Sequence, residues 1–292
     1  MRRLIAAAAL LLAPALFAHD HSQNISISTD DDEDVTSCSQ IRVTFDHQTA
    51  LRAEEELPVG SLRSLKIVSD QRGGVRVAGW DQPRYAVTVC KAAASADALR
   101  AVNARLGGNE VTASGPDGDQ QWVVYFLVRT PRNATLDVTA HNGPIGLHGV
   151  NGTLTVHATN GPVSLKDSSG TIDATTVNGP IALAGGSGNV KISATNGPLS
   201  VKLTGTRWDG TLDATTQNGP VSLKLPRNFA SGVDLTVKGH GPISCKAEAC
   251  RDMKRSWHDD DNDTPRRLSF GSGPRNVTLS TVNGPVVVKE AE

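Results

Sequence analysis

The chain has 292 residues and a formal net charge of −1, set by 29 Lys and Arg against 30 Asp and Glu. So even a balance lacks the basic footprint of a nucleic-acid binder, and no nucleic-acid partner is expected. Aromatic residues make up 4% and there are 28 glycines, which argues against a core of large rings and for many tight turns.

Residues 1–18 read as an export signal. Arg2 and Arg3 form its positive end, and Leu4 to Phe17 an apolar stretch too short to span a bilayer. Cleavage is expected after Ala18 or after Ala15. No later apolar run reaches the length of a span, so no membrane span is expected after cleavage. The expected location is outside the cytoplasm, in the periplasm or at the cell surface. If cleavage follows Ala18, the chain begins His19-Asp20-His21. A free amine, two backbone amides and a third-position imidazole then form a square-planar nitrogen set suited to Cu(II) or Ni(II). No other cofactor is expected.

Residues 19–63 read as a polar, partly disordered segment. Asp30-Asp31-Asp32-Glu33-Asp34 is an acidic run of the solvated kind, without the Gly and Glu spacing of a calcium loop.

Residues 64–139 read as a degenerate copy of a later repeat, with one helix. Leu65 and Ile67 alternate with polar residues, Arg72-Gly73-Gly74 makes a turn, and Val75 and Val77 alternate again. A strand follows at 85–89. A capping helix is expected over 95–107. Ser95 is its N-cap, Asp97 lies in the first turn, and Leu99, Val102 and Leu106 form one stripe. Arg105 stands in the last turn and Gly107 closes it. Strands return at 111–113, 122–128 and 135–139.

Residues 140–292 carry the repeat itself. Asn-Gly-Pro followed by an apolar residue begins at Asn142, Asn160, Asn178, Asn196, Asn218 and Asn283, with His240 replacing the asparagine in one further copy. Successive steps are 18, 18, 18, 22, 22 and 43 residues, and a fixed short period marks a repeat fold. Counting the asparagine as the first position, the fourth and sixth are apolar or cysteine in every copy, from Ile145 and Leu147 to Val286 and Val288. The fifth is small or polar apart from Val287. This is the period-2 alternation of a strand with one buried face. A second strand is marked by Leu154, Ile172, Val190, Leu212 and Val277, each six residues before the next motif. Before His240 the pattern slips by one, to Leu235 and Val237.

Two short strands and two turns per copy cannot bury their own face, but stacked coils can. The fold class expected is therefore all-β: a parallel β-solenoid of 18–22-residue coils. A meander of antiparallel hairpins is the rival, since Asn-Gly also marks hairpins. The identity of successive turns favours stacking. Asn and Gly tolerate positive φ, Pro suits a strand start, and stacked asparagines can hydrogen-bond along the axis. These asparagines read as structural turn residues.

The extra length of the later coils falls at one corner. It comprises Thr204 to Gly210, Pro226 to Gly232, and an insertion at 246–273. Insertions at one corner of a solenoid project from one face, and such faces often bind. The expected ligand-binding residues are Arg207, Trp208, Arg227, Phe229 and Trp257, as aromatic platforms beside polar groups. The alternative is that the rings fold back as a cap. His258 to Asp263 read as a solvated acidic loop rather than a cation site. Export makes the four cysteines disulfide candidates, in three pairings that the sequence does not choose among. Cys38 with Cys90 and Cys245 with Cys250 is the pairing favoured, with a small buried thiol the alternative for Cys245.

Val75 to Asp81, Val128-Arg129-Thr130-Pro131 leading into the repeats, and Leu268 to Gly273 before Val277 to Gly284 resemble a bacterial exported putative-adhesin family of unknown function. The resemblance covers roughly residues 64–290. It implies a β-solenoid of the cell envelope and transfers no catalytic residue. No Gly-x-Ser-x-Gly, His-Glu-x-x-His or phosphate loop is present. Asp173 and Asp213 share a coil position that could serve polysaccharide cleavage, though Thr155 and Lys191 hold it in the other coils. The expected function is a non-catalytic structural or adhesin-like binding module, with a cell-wall glycan or another envelope protein as partner. The alternative is a β-helical enzyme acting on polysaccharide.

Overall fold

The computed structural model describes residues 25–29, 35–117, 121–251, 253–255 and 265–291. Two parallel sheets run its length and face each other across one core. Each coil gives a long strand to one sheet and a short strand to the other, as Asn151–Asn160 and Val163–Lys166 do. Strands pair in register with their equivalents one coil away. In the long-strand sheet Leu136, Leu154, Ile172, Val190, Leu212 and Val277 line up across six strands. In the short-strand sheet Ile145, Val163, Ile181, Leu199, Val221 and Val286 do the same. These two rows point inward and are at most 2% exposed. Parallel pairing throughout the repeat rules out the hairpin meander and makes the chain a β-solenoid.

The corner is built as its residue types require. The Nδ2 of Asn160, Asn178, Asn196, Asn218 and Asn283 each donates to Oδ1 of the asparagine one coil away, at 2.9–3.0 Å. The glycines stack backbone on backbone, so a Cβ on Gly179 would collide with the carbonyl of Gly161. Proline stands before each short strand, and its carbonyl still accepts from the next coil, as Pro162 does from the Ile145 amide at 2.9 Å.

Coil order in space departs from coil order in the chain at both ends. The last coil, Arg275–Asn283 with Val286–Glu290, does not lie at the end of the stack. It inserts between Gly210–Asn218 with Val221–Leu225 and Gly232–Val237 with Ile243–Cys245. The physical reason lies in the His240 copy. It spends one more residue than its neighbour between paired positions Leu235↔Leu279 and Ile243↔Val286, and it has no asparagine for the ladder. Placed outermost, it leaves Asn218 free to continue onto Asn283. At the other end Leu65–Trp80 bends at Gly73 and runs through both sheets. It lies between Asn133–Asn142 with Ile145–His148 on one side and Glu110–Ser114 with Trp122–Pro131 on the other.

Antiparallel strands close the stack. Leu51–Leu57 pairs Ala86–Ala93, which pairs Trp122–Pro131. Arg266–Phe270 pairs Gly232–Val237 at the far end. Such strands break the repeat that an open parallel edge would offer another chain.

Two expectations need correction. The helix spans only Ala96–Ala101, capped by the Ser95 hydroxyl, which accepts from the Ala98 amide at 3.1 Å. Asn103–Gly107 is a strand paired with Glu110–Ser114 through a turn in which Gly108 has φ +66°. Val102 and Leu106 are four apart, a spacing that fits helix and strand alike. Pairing with the sheet decides for the strand, and Ala104 and Leu106 pack on the core. The segment read as polar and loose carries the strands Ile25–Thr29, Ile41–Phe45, Gln48–Thr49 and Leu51–Leu57. The first three form a small antiparallel sheet. It covers the outer surface of the short-strand sheet at its N-terminal end, over Val123, Tyr125 and Leu127. The Cys38–Cys90 disulfide ties it there, with Cα atoms 5.3 Å apart. Cys245–Cys250 is the second bridge, at 6.3 Å, and holds buried Cys250 against the outermost coil. No helix of the described residues is long and apolar enough to cross a membrane.

Candidate functional site

The three insertions meet at one corner. The Ala230 amide donates to the Thr206 carbonyl at 2.7 Å, and the Gly273 amide to the Ala230 carbonyl at 2.8 Å. The Trp208 and Phe229 rings, however, turn inward. Trp208 is 4% exposed and Phe229 5%. The Trp208 indole donates to the Gly188 carbonyl at 3.1 Å, and its amide to the Ser231 hydroxyl at 3.0 Å. Asn276 Nδ2 donates to the Trp208 carbonyl at 2.8 Å. Among the described residues, no exposed aromatic platform forms here. A large ring at a corner beside the open core gains more by filling that core than by facing water. Arg207 is exposed, and Arg227 pairs with Glu248 at 3.1 Å and Glu290 at 3.4 Å. Trp257, His258 to Asp263 and the amino-terminal His19, Asp20 and His21 lie outside the described residues. Asp173 and Asp213 sit on the outer surface of the long-strand sheet with Lys191 between them, so they do not form an adjacent carboxylate pair.

A different surface is shaped for a ligand: the outer side of the short-strand sheet. One row of outward residues is small, with Gly146, Ser164, Ala182, Ser200 and Ser222 in successive strands. It floors a groove. The stretch nearest the N-terminal sheet has a volume of about 360 Å³ and is lined by Ile27, Arg76, Tyr125, Pro144, Pro162 and Ser164. The next stretch, of about 410 Å³, shares Arg76 and Ser164 and continues past His148, Lys166, Asp167 and Lys202. A Cβ on Gly146 would meet the Arg76 guanidinium that crosses it, so the guanidinium lies flat on the floor only beside glycine or after shifting. Burial pushes the Tyr125 phenol up, and the Arg76 charge offsets this in part. His148 Nε2 lies 3.8 Å from an Asp167 carboxylate oxygen.

The second outward row contains His148, Lys166, Ala184, Lys202, Lys224 and Lys289, paired strand to strand in that order. Lys246 continues the row beyond Lys289, its amide donating to the Val288 carbonyl at 3.0 Å. These are the seventh residues of the repeat count. The signal is present in the sequence but is carried by position and not by any local motif.

The profile of the family described as Toastrack DUF4097 matches residues 19–288. The chain belongs to the Toastrack family. Among solved structures, this Toastrack chain is similar to a putative cell adhesion protein from Clostridium sporogenes, at 10% identity and a TM-score of 0.32, over 83% of this chain and 100% of that one. It is similar to a putative adhesin from Bacteroides fragilis at 10% identity and a TM-score of 0.31, over 82% and 97%. A putative lipid binding protein from Parabacteroides distasonis shows 8% identity and a TM-score of 0.26, over 82% and 97%. Likenesses this distant carry no argument about function. No curated protein matches the chain.

Proposed function

We propose that this Toastrack chain is an exported envelope β-solenoid that works as a structural or adhesin-like binding module and not as an enzyme. The observation that carries the reading is the groove on the short-strand sheet. It crosses five successive strands, from Arg76 to Lys202, which suits an extended ligand lying across several coils rather than a small molecule enclosed in a pocket. Two further features support export. Both disulfides belong to an oxidising compartment, and the sequence opens on a signal-like segment. The partner is a cell-wall glycan or another envelope protein. The rival reading, an enzyme on polysaccharide, loses support from the separation of Asp173 and Asp213 by Lys191. The test is retention of cell-wall glycans and envelope proteins on the immobilised mature chain. Retention without release of cleaved sugar is the expected result, and steady product release overturns it.

A further inference from the structure

We propose that the lysine row on the short-strand sheet binds a linear acidic polysaccharide, with Lys202, Lys224, Lys289 and Lys246 each presenting a cation on successive coils. This rests on the binding-module reading above and names its ligand class.

The row is costly as a structural feature. Lys202, Lys224 and Lys289 lie directly opposite one another on adjacent strands, about 4.8 Å apart by strand spacing. Like charges so placed destabilise a sheet. The same coils show the ordinary solution on their other surface. There Asp137 faces Lys66, and Lys191 stands between Asp173 and Asp213, so that signs interleave. Only the groove side stacks one sign. The nearby acids do not compensate it. Glu248 and Glu290 are taken up by Arg227, and Asp167 faces His148. Among the described residues, no carboxylate lies within ion-pair distance of Lys202, Lys224, Lys246 or Lys289. Edge protection does not explain these lysines either, because Lys202, Lys224 and Lys289 are on interior strands.

The geometry selects among polyanions. The cations stand in single file, which matches a linear chain bearing anions at regular intervals. A membrane surface is better met by a broad basic patch. The adjacent row supplies Ser164, Ser200, Ser222 and Ser244, hydroxyls suited to sugar hydroxyls. Neither row has a Phe, Tyr or Trp ring on which a nucleic-acid base could stack.

The experiment measures binding of the full mature chain to polygalacturonate, to neutral dextran and to phosphatidylglycerol vesicles, at low and at physiological salt. The wild-type chain is expected to bind polygalacturonate alone, with affinity falling as salt rises. Lys202→Gln with Lys224→Gln should weaken that binding on the order of tenfold or more. Lys191→Gln on the opposite sheet should leave it within about twofold, and both variants should keep the wild-type melting curve. Equal binding by the double variant, preference for vesicles, or no binding to polygalacturonate overturns the inference. If the wild-type chain still retains envelope material in that last case, the binding-module reading survives alone. If it retains none, both fail.

Discussion

Asn283 donates from Nδ2 to Oδ1 of Asn218 at 2.9 Å, across 65 residues of sequence. The bond exists because the final coil inserts beside Val221–Leu225 and leaves the asparagine-free His240 copy outside. A ladder that begins at Asn142 thereby runs unbroken through six coils.

Ladder bonds on an exposed corner should each contribute modestly. Asn178 makes two, to Asn160 and from Asn196, whereas Asn142 at the end makes one. Asn178→Ala is expected to cost roughly 1–2 kcal/mol and Asn142→Ala about half of that. Urea midpoints at constant slope would show it, and equal losses at both positions would remove the ladder as the cause.

The glycine of the corner is a steric requirement. A Cβ on Gly179 meets backbone of the coil below, which cannot swing away, whereas one on Gly60 meets nothing within 4 Å. Gly179→Ala should destabilise by about 2 kcal/mol or more, and Gly60→Ala should stay within about 0.5 kcal/mol. Thermal melts of the two variants side by side check this.

Trp208 is a core residue despite its place in an insertion. Trp208→Ala should cost about 3–5 kcal/mol and loosen the corner that its indole and carbonyl bonds join. Near-ultraviolet dichroism and proteolysis within 204–232 are the readouts. Any loss of ligand in this variant should track unfolding, so that binding recovers on cooling.

Stability should fall only at high pH on account of the tyrosines. Burial raises both phenols, and the Arg76 charge partly offsets this at Tyr125. Above the unfolded value of about 10 the unfolded chain loses these protons first, so it binds fewer than the native chain. The contribution is therefore intact below about pH 10 and is lost as pH rises through the folded values. Tyrosinate absorbance of the folded chain should appear later in an alkaline titration than that of the urea-unfolded chain.

Much of this fold is legible in the residues. Alternation at Ile145 and Leu147, repeated in each copy, dictates a strand with one buried side, and the 18-residue step dictates that strands stack on their own kind. Val102 and Leu106 satisfy the helix and strand periods at once, and only pairing with Glu110–Ser114 ends the helix at Ala101. The surface lysines are not legible locally for a related reason. Each is an ordinary exposed residue in its own strand, and their meaning lies in a register seen only when the coils are laid side by side.

By itself the sequence determined the coil, the buried faces and the corner chemistry, because these follow from local periodicity and from what Asn, Gly and Pro allow. Tertiary structure alone decided which coils are neighbours. Strands with the same apolar pattern are interchangeable locally, so the choice falls to long-range competition between whole coils. That competition placed Asn283 against Asn218, brought Lys289 beside Lys224, and drew Trp208 into the core.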